Sequence, residues 1–185
     1  MRKLLILGCL IILSACATIE EETRIGSDLT AVQFNSIASS YLNRPTFVTL
    51  KKMSSGETVL GIEMDRYGST KSTIHFLSNN VEIYINFINK YLEWANIARN
   101  RGDAITKDIG MVETWSNGST ANIKFEMHSG NSKDHYLVLT FCAVGACLDE
   151  YSMFFDNKNA IKLIKLLQQF KNGGLKPVDI NEIYK

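Results

Sequence analysis

The sequence predicts an α+β fold: an antiparallel sheet with helices packed on one face. Three observations carry that expectation. Several runs alternate apolar and polar residues with a period of two. Two longer runs place apolar residues at three-four spacing. Each group of alternating runs is followed by one of the helical runs, an order that suits strands grouped apart from helices.

In chain order, residues 28–43, DLTAVQFNSIASSYLN, set Phe34, Ile37, Ala38, Tyr41 and Leu42 at helical spacing. This predicts a short amphipathic helix capped by Ser27 or Asp28, although Val32 and Phe34 also fit a strand. Residues 45–53, 57–66 and 72–77 read as three strands of a meander, with Leu60, Ile62 and Met64 on one face and Ile74 and Phe76 on another. A long helix follows. Asn79 and Glu82 have capping-box spacing, Val81, Tyr84, Ile85, Ile88, Tyr91, Leu92, Ala95 and Ala98 trace one face, and Gly102 ends it. Ile83, Phe87, Trp94 and Ile97 add a flanking stripe.

The second half repeats the plan. Residues 109–115 and 120–128 are strands around a tight turn at Asn117-Gly118, with Ala121, Ile123, Phe125 and Met127 inward. Residues 135–142 and 147–155 pair around the AVGA loop. Asp156 caps a helix whose stripe is Ala160, Leu163, Ile164, Leu167 and Phe170. The strand-to-helix junctions FLSNNVEIYI (76–85) and FFDNKNAIKL (154–163) are alike. Duplication of a meander-plus-helix unit (45–102 and 107–173) and convergent capping both account for the likeness.

The N-terminus has a different character. Arg2 and Lys3 precede an apolar run from Leu4 to Leu13, about half the length needed to cross a bilayer. Charge, short apolar core and small-residue end are those of a secretory signal. Leu13-Ser14-Ala15-Cys16 resembles the lipobox of bacterial lipoproteins. That resemblance implies removal of residues 1–15, a diacylglycerol thioether on Cys16, and a further acyl chain such as palmitate on its new amino group. Two or more chains hold stably where one does not. Ala17, in place of an acidic residue, implies an outer-membrane address, with the domain expected to face the periplasm. Residues 16–27 are then the lipidated cysteine and a flexible tether with a reach of about 18 Å, and residues 28–185 form one globular domain.

Composition narrows the partners. The chain has 20 basic and 19 acidic residues, so neither nucleic acid nor an anionic surface is an expected electrostatic partner. The expected partners are the bilayer, through acylated Cys16, and an envelope protein. An oxidising compartment permits a disulfide between Cys142 and Cys147, provided the loop pairs them directly and so on one face. A register slipped by one residue would forbid the bond.

Candidate chemistry is sparse. Matching apolar faces pairs Met127 with His135, Phe125 with Leu137 and Ile123 with Leu139. That puts His128 opposite Asp134, on the other face from His135, so no metal site is expected. Nucleophilic hydrolase motifs and phosphate loops are not found in the sequence. Glu63 and Asp65 share a face but read as a solvated strand edge. The expectation is a non-catalytic module without a cofactor, serving envelope assembly, secretion or maintenance. Tyr84, Phe87, Tyr91 and Trp94 are its candidate partner or ligand surface. A small-ligand or lipid-binding module is the alternative, and a cavity beneath residues 81–98 would favour it. An enzyme would need a histidine brought to a carboxylate, with His75 the first candidate.

Overall fold

The computed structural model describes residues 18–66, 71–117 and 120–177. Ten strands form one sheet: β1 (Ile19–Ile25), β2 (Thr30–Asn35), β3 (Ser40–Met53), β4 (Thr58–Asp65), β5 (Lys71–Leu77), β6 (Thr106–Thr114), β7 (Ala121–Ser129), β8 (His135–Ala143), β9 (Ala146–Cys147) and β10 (Met153–Phe155). The main path runs β5-β4-β3-β2-β10-β8-β7-β6, with β1 added to β3 and β9 to β8. Every pairing is antiparallel. The helices are α1 (Val81–Arg101) and α2 (Asn157–Lys171).

This corrects the predicted α+β arrangement of helices layered on one sheet face. Among the described residues 49% are strand and 27% helix, in a large antiparallel sheet with two helices. The sheet is larger than expected because two segments read as something else are strands. Residues 19–25, expected as a flexible tether, pair with β3 from Ile19↔Met53 to Ile25↔Val48. The glutamates that looked like a solvated leash meet lysines across the ladder, Glu21↔Lys52 and Glu22↔Lys51. Opposite charges in facing positions favour pairing.

Residues 28–43, expected as a helix, form β2 and the start of β3, from Thr30↔Pro45 to Asn35↔Ser40. The turn between them is set locally. Asn35 Oδ1 accepts from the amides of Ile37 and Ala38, an Asx turn that reverses the chain and leaves Ile37 exposed. Strands β1 and β2 therefore lie end to end along the long β3.

The outermost strands of the path, β5 and β6, come back together. The Thr114 hydroxyl donates to the His75 carbonyl. The Tyr84 hydroxyl accepts from Leu77 N and donates to the Glu113 carbonyl. Inside, one apolar cluster joins Leu60, Ile62 and Met64 of β4, Ile74 and Phe76 of β5, Ile123, Phe125 and Met127 of β7, and Leu137 and Leu139 of β8. α1 contributes Val81, Tyr84, Ile85, Ile88, Tyr91, Ala95 and Ala98, nearly the face its spacing predicts. α2 contributes Ala160, Leu163, Leu167 and Phe170.

The ends of the helices differ from one another. Gly102 closes α1 at φ 72°, donating to the carbonyls of Ala98 and Arg99. The predicted Asn79 cap is not formed. A tight helical turn over Ser78–Asn80 enters α1 with no side-chain cap, and Asn80 Nδ2 instead donates to the Glu113 carbonyl. Asp156 does cap α2, accepting from Asn159 N at 2.7 Å. β6 carries an irregularity between Asp108 and Gly110, a device that blunts exposed strand edges.

Candidate functional site

Cys16 lies outside the described residues. Among the described residues no helix is long and apolar enough to cross a membrane. Cys142 and Cys147 face each other across β8 and β9 and are disulfide-bonded, with a Cα–Cα distance of 4.0 Å. The direct register is reached through Val144-Gly145, both at positive φ, 52° and 77°, the geometry of a two-residue hairpin turn. After Cys147 the chain leaves the ladder through a short turn at Asp149–Tyr151 and rejoins β8 at Met153↔Leu139. That detour keeps Asp149 and Glu150 exposed rather than under the sheet.

The four aromatic residues predicted to form a surface are split by the structure. Tyr84 and Tyr91 are fully buried, which corrects their assignment to a partner surface. Their hydroxyls explain why a buried tyrosine is tolerated there: each reaches polar partners inside the fold. Tyr91 donates its single proton within a pair of acceptors, the His135 carbonyl at 2.9 Å and Asn157 Oδ1 at 2.7 Å. Burial first, and the charge of Asp156 second, push its phenol well above the ordinary range. Tyr84 is raised by burial too. Both phenols stay neutral.

Phe87 and Trp94 are half-buried and reach the surface of α1. Phe87 packs edge-on against Phe125, with ring centroids 5.3 Å apart, and lies over Gly110, where a side chain would collide with it. Trp94 stands between two ammonium groups. Lys90 Nζ from the preceding turn of α1 is 4.8 Å from the ring centroid, and Lys107 Nζ from β6 is 4.6 Å. Such contacts contribute about 0.5–1 kcal/mol each when exposed. Neither lysine forms an ion pair among the described residues. Beside the indole is a notch of about 140 Å³ walled by Ile97, Ala98, Asp103, Ile105, Lys107 and Met127, the Asp103 carboxylate being paired with Arg101. Ile97 and Ile105 are exposed, as is Ile83 one turn before Phe87. The sequence reading missed the two lysines and Ile105. Lys90 stands four residues before Trp94, a spacing that could have signalled the contact.

His75 and His128 find their partners within the fold. β7 and β8 pair two residues away from the expected register, Met127↔Leu137 and Ser129↔His135, because the loop after Ser129 closes on itself. Gly130 N donates to the Asp134 carbonyl, and Asn131 Oδ1 accepts from Lys133 N and Asp134 N. A two-residue shift preserves the faces, so His128 and His135 still point to opposite sides. His128 faces Tyr136 rather than Asp134 and bonds Thr106 Oγ1 and Tyr41 Oη, each at 3.0 Å. His75 Nε2 is 3.2 Å from Lys51 Nζ, and its ring is edge-on to Trp115. Burial, then the Lys51 charge, lower His75 to about 4, against a smaller opposing effect of a Trp115 backbone hydrogen bond. A neutral imidazole accepting from an ammonium fits that environment. Among the described residues no group of three His, Cys, Asp or Glu is placed to hold a metal ion.

No protein-family model and no curated protein matches the sequence.

Proposed function

We propose that the chain is an outer-membrane lipoprotein, anchored through acylated Cys16, that works without catalysis as an accessory module docking an envelope protein. The docking surface is Trp94 with its two lysines and the adjoining notch. The observation that carries this reading is the pair of unpaired ammonium groups flanking a half-exposed indole beside an apolar recess. It matches a partner segment that is acidic and carries one large apolar side chain. Charged rims steer and orient, while an aromatic anchor in a pocket supplies most of the affinity. A recess of about 140 Å³ is below the roughly 300–1,000 Å³ of small-molecule sites, so it suits a single side chain better than a free ligand.

The anchor geometry supports a close seat on the membrane. Thr18 is already tied to the turn after β3, its amide donating to Ser54 Oγ and its carbonyl accepting from Ser54 N. One residue, Ala17, then separates acylated Cys16 from Thr18, a reach of at most about 7 Å of extended chain. The docking surface is thereby held at a nearly fixed height, which favours a partner in or beside the same membrane. The alternative, a lipid cavity beneath residues 81–98, lacks room: Tyr84, Ile88, Tyr91 and Ala95 have 0% exposure, so no water-sized void adjoins them.

The test places a photocrosslinking residue at Ile97 and, as a control, at Ile161 on α2, in the full-length protein in membranes. The expected result is a discrete adduct from Ile97 that is absent from Ile161 and is lost in the Lys90→Glu/Lys107→Glu variant. Intact mass of the processed chain should show acylation, and Cys16→Ser should abolish both acylation and the adduct. An adduct indifferent to the charge reversal would remove the docking surface. An unacylated Cys16 would remove the anchor.

A further inference from the structure

Three cations from separate parts of the chain converge on a second site, away from Trp94. Arg99 of α1, Lys133 of the β7–β8 loop and Lys158 of the first turn of α2 line one open basin of about 350 Å³. None of them forms an ion pair among the described residues. The carboxylates in the same wall are engaged elsewhere. Asp156 Oδ1 accepts from N and Nδ2 of Asn159, and Asp134 Oδ2 accepts from Asn131 Nδ2. Three cations against two carboxylates leave the basin a formal charge of +1.

His135 is an independent sign of a ligand. It lines the basin, is 3% exposed, and its Nε2 is buried without a partner. The tautomer follows from its neighbour. Ser129 Oγ donates its one proton to the Ile105 carbonyl at 2.8 Å, so the proton between Ser129 Oγ and His135 Nδ1, also 2.8 Å apart, belongs to the imidazole. Burial lowers the ring's pKa, which keeps it neutral. Nε2 thus offers a buried lone pair that calls for a hydroxyl or amide donor. At the same basin, the N–H groups of Asn157 and Lys158 open α2 with no partner among the described residues. Helix geometry leaves these groups to water or an anion, beside the Asp156 carboxylate that caps the same end through Asn159 N.

We propose that this basin binds a small hydroxylated phosphate ester, with its phosphate held by Arg99, Lys133, Lys158 and the first turn of α2 and a hydroxyl donating to His135 Nε2. The volume lies near the lower limit for small-molecule sites and fits a sugar or glycerol phosphate. Tyr41 and Tyr136, packed on one another with ring centroids 4.4 Å apart, add aromatic wall to the basin. A soluble ester and a phosphorylated lipid headgroup share this chemistry.

Calorimetry on the full chain in detergent tests the site with glucose 6-phosphate, inorganic phosphate and glucose. Glucose 6-phosphate should bind more tightly than either fragment. Lys158→Gln, an exposed change, should weaken it about tenfold, and Arg99→Gln/Lys158→Gln should abolish it with an unchanged melting temperature. His135→Gln should weaken the ester more than it weakens inorganic phosphate, since only the ester carries hydroxyls. Displacement of bound glucose 6-phosphate by phosphatidylglycerol in mixed micelles would assign the ligand to a headgroup, and its retention would assign it to a soluble ester. No binding at about 10 mM, or equal affinity in the double variant, would overturn the proposal. The residues involved are separate from the Trp94 surface, so either site can fail alone.

Discussion

Tyr84 and Glu113 are joined by a 2.8 Å hydrogen bond from the phenol to the main-chain carbonyl. The same oxygen accepts from the Leu77 amide at 3.2 Å. Leu77 belongs to β5 and Glu113 to β6, the two ends of the strand path. One helical side chain therefore bridges the strands where the sheet returns on itself. The ring also meets Phe76 edge-on at 5.0 Å and stacks near Phe125 at 6.0 Å.

Tyr84→Phe should keep the ring packing and lose both bonds. The half-buried Leu77 amide would lose its acceptor, while the Glu113 carbonyl would keep Asn80 Nδ2, at about 1 kcal/mol. Urea unfolding should show a lower midpoint with an unchanged slope, and hydrogen exchange at the Leu77 amide should speed up. An unchanged midpoint would mean that water replaces the phenol.

His75 makes stability depend on acid. Its folded-state pKa of about 4 lies below the unfolded value of 6.5. Between these values the unfolded chain binds more protons, so stability rises with pH. The native state is unaffected by this group above about pH 6.5 and loses stability as pH falls toward 4, by on the order of 3 kcal/mol. His135, lowered by burial in the same direction, adds to the slope. Melting temperature followed from pH 7 to 4 should fall, and His75→Gln should flatten much of that fall. A flat wild-type profile would contradict the buried neutral imidazole.

The core faces were legible because periodicity alone defines them. The stripe of α1 and the inward positions of the strand containing Ile123 and Phe125 match the buried residues closely. The first 26 residues of the fold were not legible. Glu20 to Glu22 and the Asn35 turn are polar in sequence, and only their pairing with β3 makes them strands. Periodicity also cannot tell a buried tyrosine from an exposed one when its hydroxyl finds a partner far along the chain, as Tyr91 does at Asn157. The cationic basin left no spacing signal, because Arg99, Lys133 and Lys158 come from three separate elements.

Gly110 couples β6 to the α1 surface. A Cβ there would lie 2.5 Å from Phe87 Cζ and 2.9 Å from Cε2. Gly110→Ala must push the ring away from Phe125. An overpacked contact costs typically about 1–3 kcal/mol. Gly110→Ala/Phe87→Leu should recover much of the loss, because the smaller side chain leaves room. Thermal unfolding of the singles and the double would form a cycle, and strictly additive losses would show that the ring does not respond to Gly110.

Val144 is strained where Cys142 and Cys147 are joined. Its φ is 52° and it is 89% exposed, and a β-branched residue in that region is unfavourable. Asparagine tolerates the left-handed conformation and is preferred at this position of a two-residue hairpin. Val144→Asn should therefore stabilise by roughly 1 kcal/mol, at the low end of the usual strain. Cys142→Ala/Cys147→Ala should cost about 2 kcal/mol by the loop-entropy estimate. It should not unfold the chain, because Met153 to Phe155 pair with β8 independently of the bridge. The two changes should also interact. Without the disulfide the Val144 turn can relax outward, so the gain from asparagine should shrink in the alanine background. Denaturant unfolding of the four proteins measures that coupling, and an equal gain in both backgrounds would mean the bridge does not hold the turn in its strained form.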